Sequence, residues 1–222
     1  QLDQGGLGLP DRDYYLKTDA KSVELREQYR THLQNTFRLL GEDPARASAD
    51  AKVVLDMEAA LAKGSMDIVK RRDPANLDHK LSGAELRALT PAFSWDDYLK
   101  IVASPATQHY LVATPDFFKA ANQMIADRPL DDWKTYLRWH LVHASSPLLS
   151  RQFEEERFDF YGKKLIGEKE MRPRWKRCVE FADGDLGEAL GQKYVEMTFG
   201  KEGKQRTLRM VEEIEKALRK DI

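Results

Sequence analysis

Apolar residues recur every three or four positions along almost the whole chain, and this spacing limits the fold more than any other feature. In the clearest case, after Pro129, one broad stripe holds Trp133, Tyr136, Leu137, His140, Leu141 and Ala144. Such a stripe is typical of an amphipathic α-helix. Because Trp139 and Val142 lie outside it, the helix is apolar on more than one side, which predicts a helix buried by several neighbours. The pattern as a whole predicts an all-α fold of about nine or ten largely antiparallel helices, with little or no sheet.

Helix boundaries are marked by familiar signals. Asp43-Pro44 has the form of an N-cap followed by a proline at the first helical position, and Gly64 closes that helix. The spacing of Ser82 and Glu85 predicts a capping box. We expect a short strand at QHYLVA (108–113) and a helix break at Asp183-Gly184-Asp185.

The totals exclude several classes of protein. The 222 residues carry 36 Lys plus Arg against 37 Asp plus Glu, so the charge does not suggest a general nucleic-acid binder. No apolar run approaches the roughly 20 residues of a membrane-spanning helix. We see no internal repeat, low-complexity segment or long linker, which predicts a single helical domain over residues 1–222. The last predicted helix stops in mid-pattern at Ile222, so we expect an internal fragment of a larger protein.

Few residues form a recognisable catalytic pattern. His140 and His143 are the strongest metal candidates, since residues three apart on a helix can reach one ion, but packed, hydrogen-bonded histidines are the favoured interpretation. The three carboxylates of FEEERF (153–158) are interpreted as a solvated, salt-bridged face. The seven basic residues between Lys163 and Arg177 are predicted to form ion pairs or internal contacts, with an anion or nucleic-acid patch as the alternative.

Five segments, in order, resemble motifs of the neprilysin-like zinc metallopeptidases, the family of neprilysin, the endothelin-converting enzymes and bacterial endopeptidase O. They are GLGLPDRDYYL (6–16), RRDPANLDHKLSGAELRAL (71–89), FSWDDYL (93–99), YLRWHLVHASSPLLS (136–150) and RWKRCVEFADGDLGEALGQKYVEMTF (174–199). The last is the most specific. The family-motif residues, to which we assign structural roles, are Gly8, Pro10, Arg12, Asp13, Tyr14, Tyr15, Trp95, Arg177, Cys178 and Gly184.

The resemblance implies a helical N-terminal domain that, with a thermolysin-like catalytic domain, encloses a chamber admitting only peptides and small polypeptides. In that family zinc is held by H-E-x-x-H and a downstream Glu, all C-terminal to the matched region. We therefore expect no catalytic or metal residue in this segment, zinc only in the parent protein, and unidentified substrate-binding residues. The implied partners are the chain's own C-terminal catalytic domain and peptide substrates, without nucleic acid or membrane contact by this segment.

Two family-motif positions carry more specific expectations. For Arg12 and Asp13 the favoured role is a buried ion pair that anchors the first segment, and the alternative is that they face the chamber. The resemblance aligns Cys178 with a cysteine that is disulfide-bonded in the animal enzymes to a partner upstream of this chain, and a free thiol is equally compatible.

Two further hypotheses remain beside the peptidase domain. One is a stand-alone helical protein-interaction module, and the other is a metal-binding helical enzyme built on His140 and His143. The compartment cannot be read from this segment, because the family includes membrane-anchored, exported and cytoplasmic proteins. We favour an exported protein, periplasmic or on the extracellular face.

Overall fold

The structure, a computed structural model, describes residues 1–221 and divides into two compact units, Gln1–Lys169 and Glu170–Ile222. The expected Ile222 position of the last helix lies outside the described residues. Within them, ten α-helices and one two-stranded sheet confirm the all-α prediction. That residues 1–222 form one domain stays a prediction.

The first unit begins with a short helix, α1 (Asp13–Leu16), and two long antiparallel helices, α2 (Ala20–Leu39) and α3 (Pro44–Gly64). Gly41 adopts a φ of +92°, which allows the tight connection between α2 and α3. The Asp43 carboxylate caps α3 by accepting the N–H groups of Ala45 and Arg46, as predicted. The apolar faces of α2 and α3 pack on each other.

A small sheet follows two turns of 3₁₀ helix at Lys70–Arg72 and Pro74–Asn76. Its strands, β1 (Lys80–Ser82) and β2 (His109–Leu111), pair antiparallel, with Leu81 opposite Tyr110. The strand expected at 108–113 is confirmed at its centre, whereas β1 was not predicted. The predicted capping box of Ser82 and Glu85 starts α4 (Gly83–Leu89).

The remaining helices of the first unit complete its core. They are α5 (Trp95–Ile101), α6 (Pro115–Asp127), α7 (Leu130–Ser145), a 3₁₀ turn at Ser146–Leu148 and α8 (Arg151–Arg157), which continues as a π-helix over Phe158–Ile166. Helices α6 and α7 both pack on α3. Gly64 lies so close to α6 that an added Cβ would come within 2.6 Å of the Ala120 Cβ.

The predicted orientation of α7 was partly wrong. Leu137 and Leu141 are 59% and 68% exposed, although both belong to the predicted apolar stripe. The buried face instead carries Tyr136, Trp139 and Val142. Trp139 is 1% exposed and contacts Tyr29 edge-on at 6.2 Å between ring centroids, so the large aromatic ring determines which side of the helix turns inward.

The second unit consists of α9 (Arg174–Thr198) and α10 (Gly200–Asp221). The predicted break at Asp183-Gly184-Asp185 was wrong, because α9 runs through it without interruption. The chain turns instead at Gly200, with a φ of +65°. Both helices expose large apolar side chains, among them Trp175, Leu186, Leu190, Tyr194, Met197, Val211, Ile214 and Leu218. None of the described helices is both long and apolar enough to cross a membrane.

Candidate functional site

The most concentrated polar cluster of the first unit surrounds Glu58. This residue lies on the inner face of α3 with Val54, Met57 and Leu61, and none of its surface is exposed. Its carboxylate accepts hydrogen bonds from the hydroxyls of Tyr15 and Tyr29, each at 2.9 Å. A buried carboxylate is tolerated when hydrogen bonds from the protein replace those that it made to water. Here the neighbouring helices supply these hydrogen bonds.

Two further donors and one close ring nitrogen complete the shell of the Glu58 carboxylate. The Gly8 N–H donates at 3.1 Å and the Trp139 Nε1–H at 3.3 Å, while His140 Nε2 lies 3.2 Å from Oε1. The cluster therefore joins α1, α2, α3 and α7 to the segment that precedes α1.

The segment of the first family motif is held through its backbone. The Tyr136 hydroxyl donates to the Gly6 carbonyl at 2.7 Å, and the Tyr161 hydroxyl donates to the Gly8 carbonyl at 2.9 Å. A Cβ on Gly8 would lie 1.9 Å from the Tyr29 hydroxyl oxygen, so only glycine allows this approach. The glycines of the motif thus serve close packing and not the cradling of a ligand.

Electrostatics keep the cluster's phenols protonated. Burial, followed by the negative charge of Glu58, raises the pKa of Tyr15, Tyr29, Tyr136 and Tyr161 above its ordinary value of about 10. These hydroxyls consequently remain hydrogen-bond donors at neutral pH. The arrangement suits a fixed structural network, because no hydroxyl in it is poised to lose a proton.

The two candidate metal ligands lie within aromatic packing. The His140 ring contacts the Tyr136 ring at a centroid distance of 4.4 Å, and the His143 ring lies 4.9 Å from that of Tyr161. Burial, aided by the positive charge of Arg157, lowers the pKa of His143 from 6.5 to about 4. Across residues 1–221, no group of three or more His, Cys, Asp and Glu side chains is arranged to hold a metal ion.

The remaining residues of the first motif form separate contacts. The predicted Arg12–Asp13 ion pair was wrong. The Arg12 guanidinium donates instead to the Ser65 carbonyl at 2.5 Å, and the Asp13 carboxylate pairs with Lys17 at 3.0 Å on the surface. Arg12 anchors the segment through the backbone at the end of α3, where a carbonyl needs a donor. Pro10 and Tyr14 lie two residues before and two residues after Arg12 in the sequence.

The other motif residues make contacts of their own. Trp95 is buried at the start of α5, and its Nε1–H donates to the Thr90 hydroxyl at 2.6 Å. In the second unit, Arg177 donates to the Arg172 carbonyl at 2.9 Å, Cys178 is an exposed free thiol, and Gly184 lies inside α9.

The charged segments singled out by the sequence form ion pairs, most of them within their own helix. In FEEERF, Glu155 pairs with Arg151 at 2.6 Å, and Glu156 lies 3.0 Å from the buried His32. In the basic stretch, Lys163 and Lys164 both pair with Asp159. The Arg151–Glu155 pair agrees with the expected solvated, salt-bridged face, whereas Glu156 is largely buried against α2. The pairs of Lys163 and Lys164 agree with the ion pairs predicted for the basic stretch.

Sequence comparison now assigns the family. The N-terminal model described as Peptidase family M13 matches residues 1–222. The chain belongs to peptidase family M13. Among curated M13 relatives, it is 32% identical to mouse endothelin-converting enzyme 1 and 33% identical to the human enzyme, each over 230 aligned residues and 100% of this chain. It spans 29% of the length of either relative.

Solved structures agree with the M13 assignment. The zinc metalloprotease Zmp1 of Mycobacterium tuberculosis superposes with a TM-score of 0.87 at 31% identity, both in an open state and in complex with an inhibitor. These alignments cover 97% of this chain and 33% or 32% of the Zmp1 chains. The chain is therefore similar to the helical N-terminal part of M13 zinc metallopeptidases.

Sequence reasoning did not identify Glu58, the centre of the cluster. A signal was present, because Glu58 occupies an apolar position of α3 between Val54 and Leu61. A carboxylate at such a position is buried only when other elements bring donors to it. Those donors come from residues as distant in sequence as Gly8 and Trp139.

Proposed function

We propose that this chain is the helical N-terminal domain of a zinc-dependent metalloendopeptidase that hydrolyses peptides and small polypeptides. The observation that carries the proposal is the match of the M13 family over the entire chain. The superposition on Zmp1 over 97% of the chain supports the same role. In this proposal the domain forms the lid and part of the wall of the substrate chamber.

The segment itself is proposed to be non-catalytic. Zinc is the cofactor that the family implies, and it requires at least three protein ligands in a catalytic site. The described residues do not fit this need, because His140 and His143 are engaged in packing and no third ligand joins them. Zinc and the reacting groups are therefore proposed to lie in another part of the parent protein.

Size restriction is the proposed contribution of the helical wall. A wall can exclude large substrates only if it keeps its shape, and the Glu58 network binds four helices and the first segment together. Loosening this network should therefore admit longer substrates. The proposed partner of this chain is the C-terminal catalytic domain of the same parent protein. The exposed apolar side chains of α9 and α10 support docking of that domain.

The proposal is tested in two experiments. The purified 222-residue chain should cleave no short peptide with added zinc, and zinc-dependent cleavage by pure material would contradict the non-catalytic role. In the parent protein, kcat/KM should fall steeply between a peptide of about ten residues and an unfolded protein.

Variants then connect the size limit with this domain. Glu58→Gln, measured where circular dichroism shows it folded, should raise kcat/KM for the longer substrate relative to the short one. The matched Glu27→Gln, on the exposed face of α2, should leave the ratio unchanged. An equal ratio for Glu58→Gln and the parent would refute size control by this network.

An exported location also belongs to this proposal, and cell fractionation of the parent protein tests it.

A further inference from the structure

A polar cavity of about 550 Å³ lies in the first unit, away from the Glu58 cluster. Its wall combines Arg12, the end of α3 at Lys63, the loop that follows, His79, and the start of α6 at Thr114. The volume falls in the range of small-molecule sites, roughly 300–1,000 Å³. The cavity thus has room for a ligand larger than a water molecule.

Thr114 supplies the observation that points to a ligand. It precedes α6 at the N-cap position, where a side chain normally accepts a hydrogen bond from the helix, but it forms no such bond. The residue is 2% exposed, and its hydroxyl has no hydrogen-bond partner among the described residues. An orphaned buried hydroxyl is costly, so a partner in the cavity would relieve it.

His79 adds a second unpartnered polar atom in the same wall. Its Nδ1 is buried and forms no hydrogen bond within residues 1–221. The residues that carry these two atoms belong to different segments and both line the cavity, which favours a polar ligand between them.

The charge of the wall selects an anion. Four cationic side chains, Arg12, Lys63, Lys70 and Lys119, face only two carboxylates, Asp67 and Asp116. Lys119 pairs with Asp116 at 3.0 Å, and Lys70 lies 3.9 Å from Asp67. Arg12 also acts electrostatically on Asp67, so the wall as a whole keeps an excess of two positive charges for a ligand. The N-terminal end of α6 adds a favourable dipole.

We propose that this cavity binds a phosphoryl group, either as inorganic phosphate or as a small phosphate monoester. The dianion would match the excess positive charge, accept a hydrogen bond from Thr114, and contact His79. The space beyond the phosphoryl group would hold the organic part of a monoester. The proposal is independent of the peptidase role.

The test is calorimetric titration of the full chain with inorganic phosphate and with glycerol 2-phosphate at constant ionic strength. Saturable binding of either probe supports the proposal, and the tighter probe shows whether the free ion or the ester is preferred. The proposal is overturned if neither probe binds with a dissociation constant below about 10 mM, which corresponds to a binding free energy of about 3 kcal/mol.

Two variants locate the binding. Thr114→Val should weaken it about tenfold, the effect of losing one charge-assisted hydrogen bond. Lys63→Met should weaken it about fivefold, with a smaller effect at high salt because screening reduces the charge interaction. The matched control is Lys52→Met, which removes the same charge from α3 where Lys52 pairs with Asp56 outside the cavity wall. Equal weakening by Lys52→Met and Lys63→Met would show non-specific attraction and overturn the proposal.

A stability measurement distinguishes a specific loss of phosphate binding by Thr114→Val from misfolding of the variant. Without phosphate, Thr114→Val should melt at or above the temperature of the parent chain, because valine removes an unpartnered buried hydroxyl at nearly constant volume. A lower melting temperature would show that the hydroxyl already has a partner in the fold, which would overturn the proposal.

Discussion

Replacing Glu58 by glutamine tests the central cluster most directly. Glutamine keeps the volume and one acceptor oxygen but replaces the other by an amide NH₂, which donates and cannot accept. Glu58 Oε1 receives the N–H groups of Gly8 and Trp139, and Oε2 receives the Tyr15 hydroxyl, while the Tyr29 hydroxyl lies within hydrogen-bond distance of both oxygens. Either orientation of the amide therefore leaves at least one buried donor facing another donor.

The expected cost follows from that count. Each buried donor that loses its acceptor costs about 1–3 kcal/mol, so the loss of at least one should lower the free energy of unfolding of Glu58→Gln by about 1–3 kcal/mol. Glu58→Leu removes both acceptors and should cost more, about 3–5 kcal/mol. The control, Glu27→Gln, breaks an exposed pair with Arg30 and should change stability by less than about 1 kcal/mol.

Urea unfolding followed by tryptophan fluorescence measures these differences. The midpoint should shift while the slope against urea stays constant, which indicates a change of stability and not of compactness. A loss below about 1 kcal/mol for Glu58→Gln, or a Glu58→Leu chain as stable as the parent, would refute the reasoning that buried donors depend on this carboxylate.

The remaining predictions concern three positions. Gly8→Ala should destabilise the chain by about 1–3 kcal/mol in the same urea assay, because the new methyl group would collide with the Tyr29 hydroxyl; an unchanged midpoint would contradict this. Asp43→Ala removes the cap of α3 and should cost about 1 kcal/mol, with Asp56→Ala on the exposed side of α3 as a milder control. The pKa of His143 falls to about 4 in the folded chain, so the unfolded chain binds more protons between pH 6.5 and 4. Acidification over that range should therefore remove up to roughly 3 kcal/mol of stability, and His143→Phe should lose less over the same range if this histidine is responsible.

Local signals predicted the helices well. The caps at Asp43 and Ser82 and the turn glycine Gly41 act through neighbours within a few residues, so the sequence alone exposes them. The orientation of α7 could not be read in this way. Periodicity favours Leu137 and Leu141 as much as Trp139, and the choice depends on which side of α7 meets the aromatic rings of α2.

The continuity of α9 is a second case. Asp183, Gly184 and Asp185 have low helix propensity, but the cost is distributed over a helix of 25 residues and does not interrupt it. The Glu58 cluster was hidden for a different reason, since its donors are separated from it by 29 to 81 residues along the chain and no local pattern connects them.

The bonds to the first family motif also constrain the order of folding. Gly6 is bonded to a residue 130 positions further along the chain, and Gly8 to one 153 positions further. Contacts of such long sequence separation form late, because a large loop must close before they are gained. During synthesis on the ribosome, residues 6–8 therefore cannot reach their final positions until Tyr161 has emerged. Helices α2 and α3 can already pack on each other while residues 6–8 are still unbonded. The docking of residues 6–8 is therefore the folding step at which slow or failed folding should be sought.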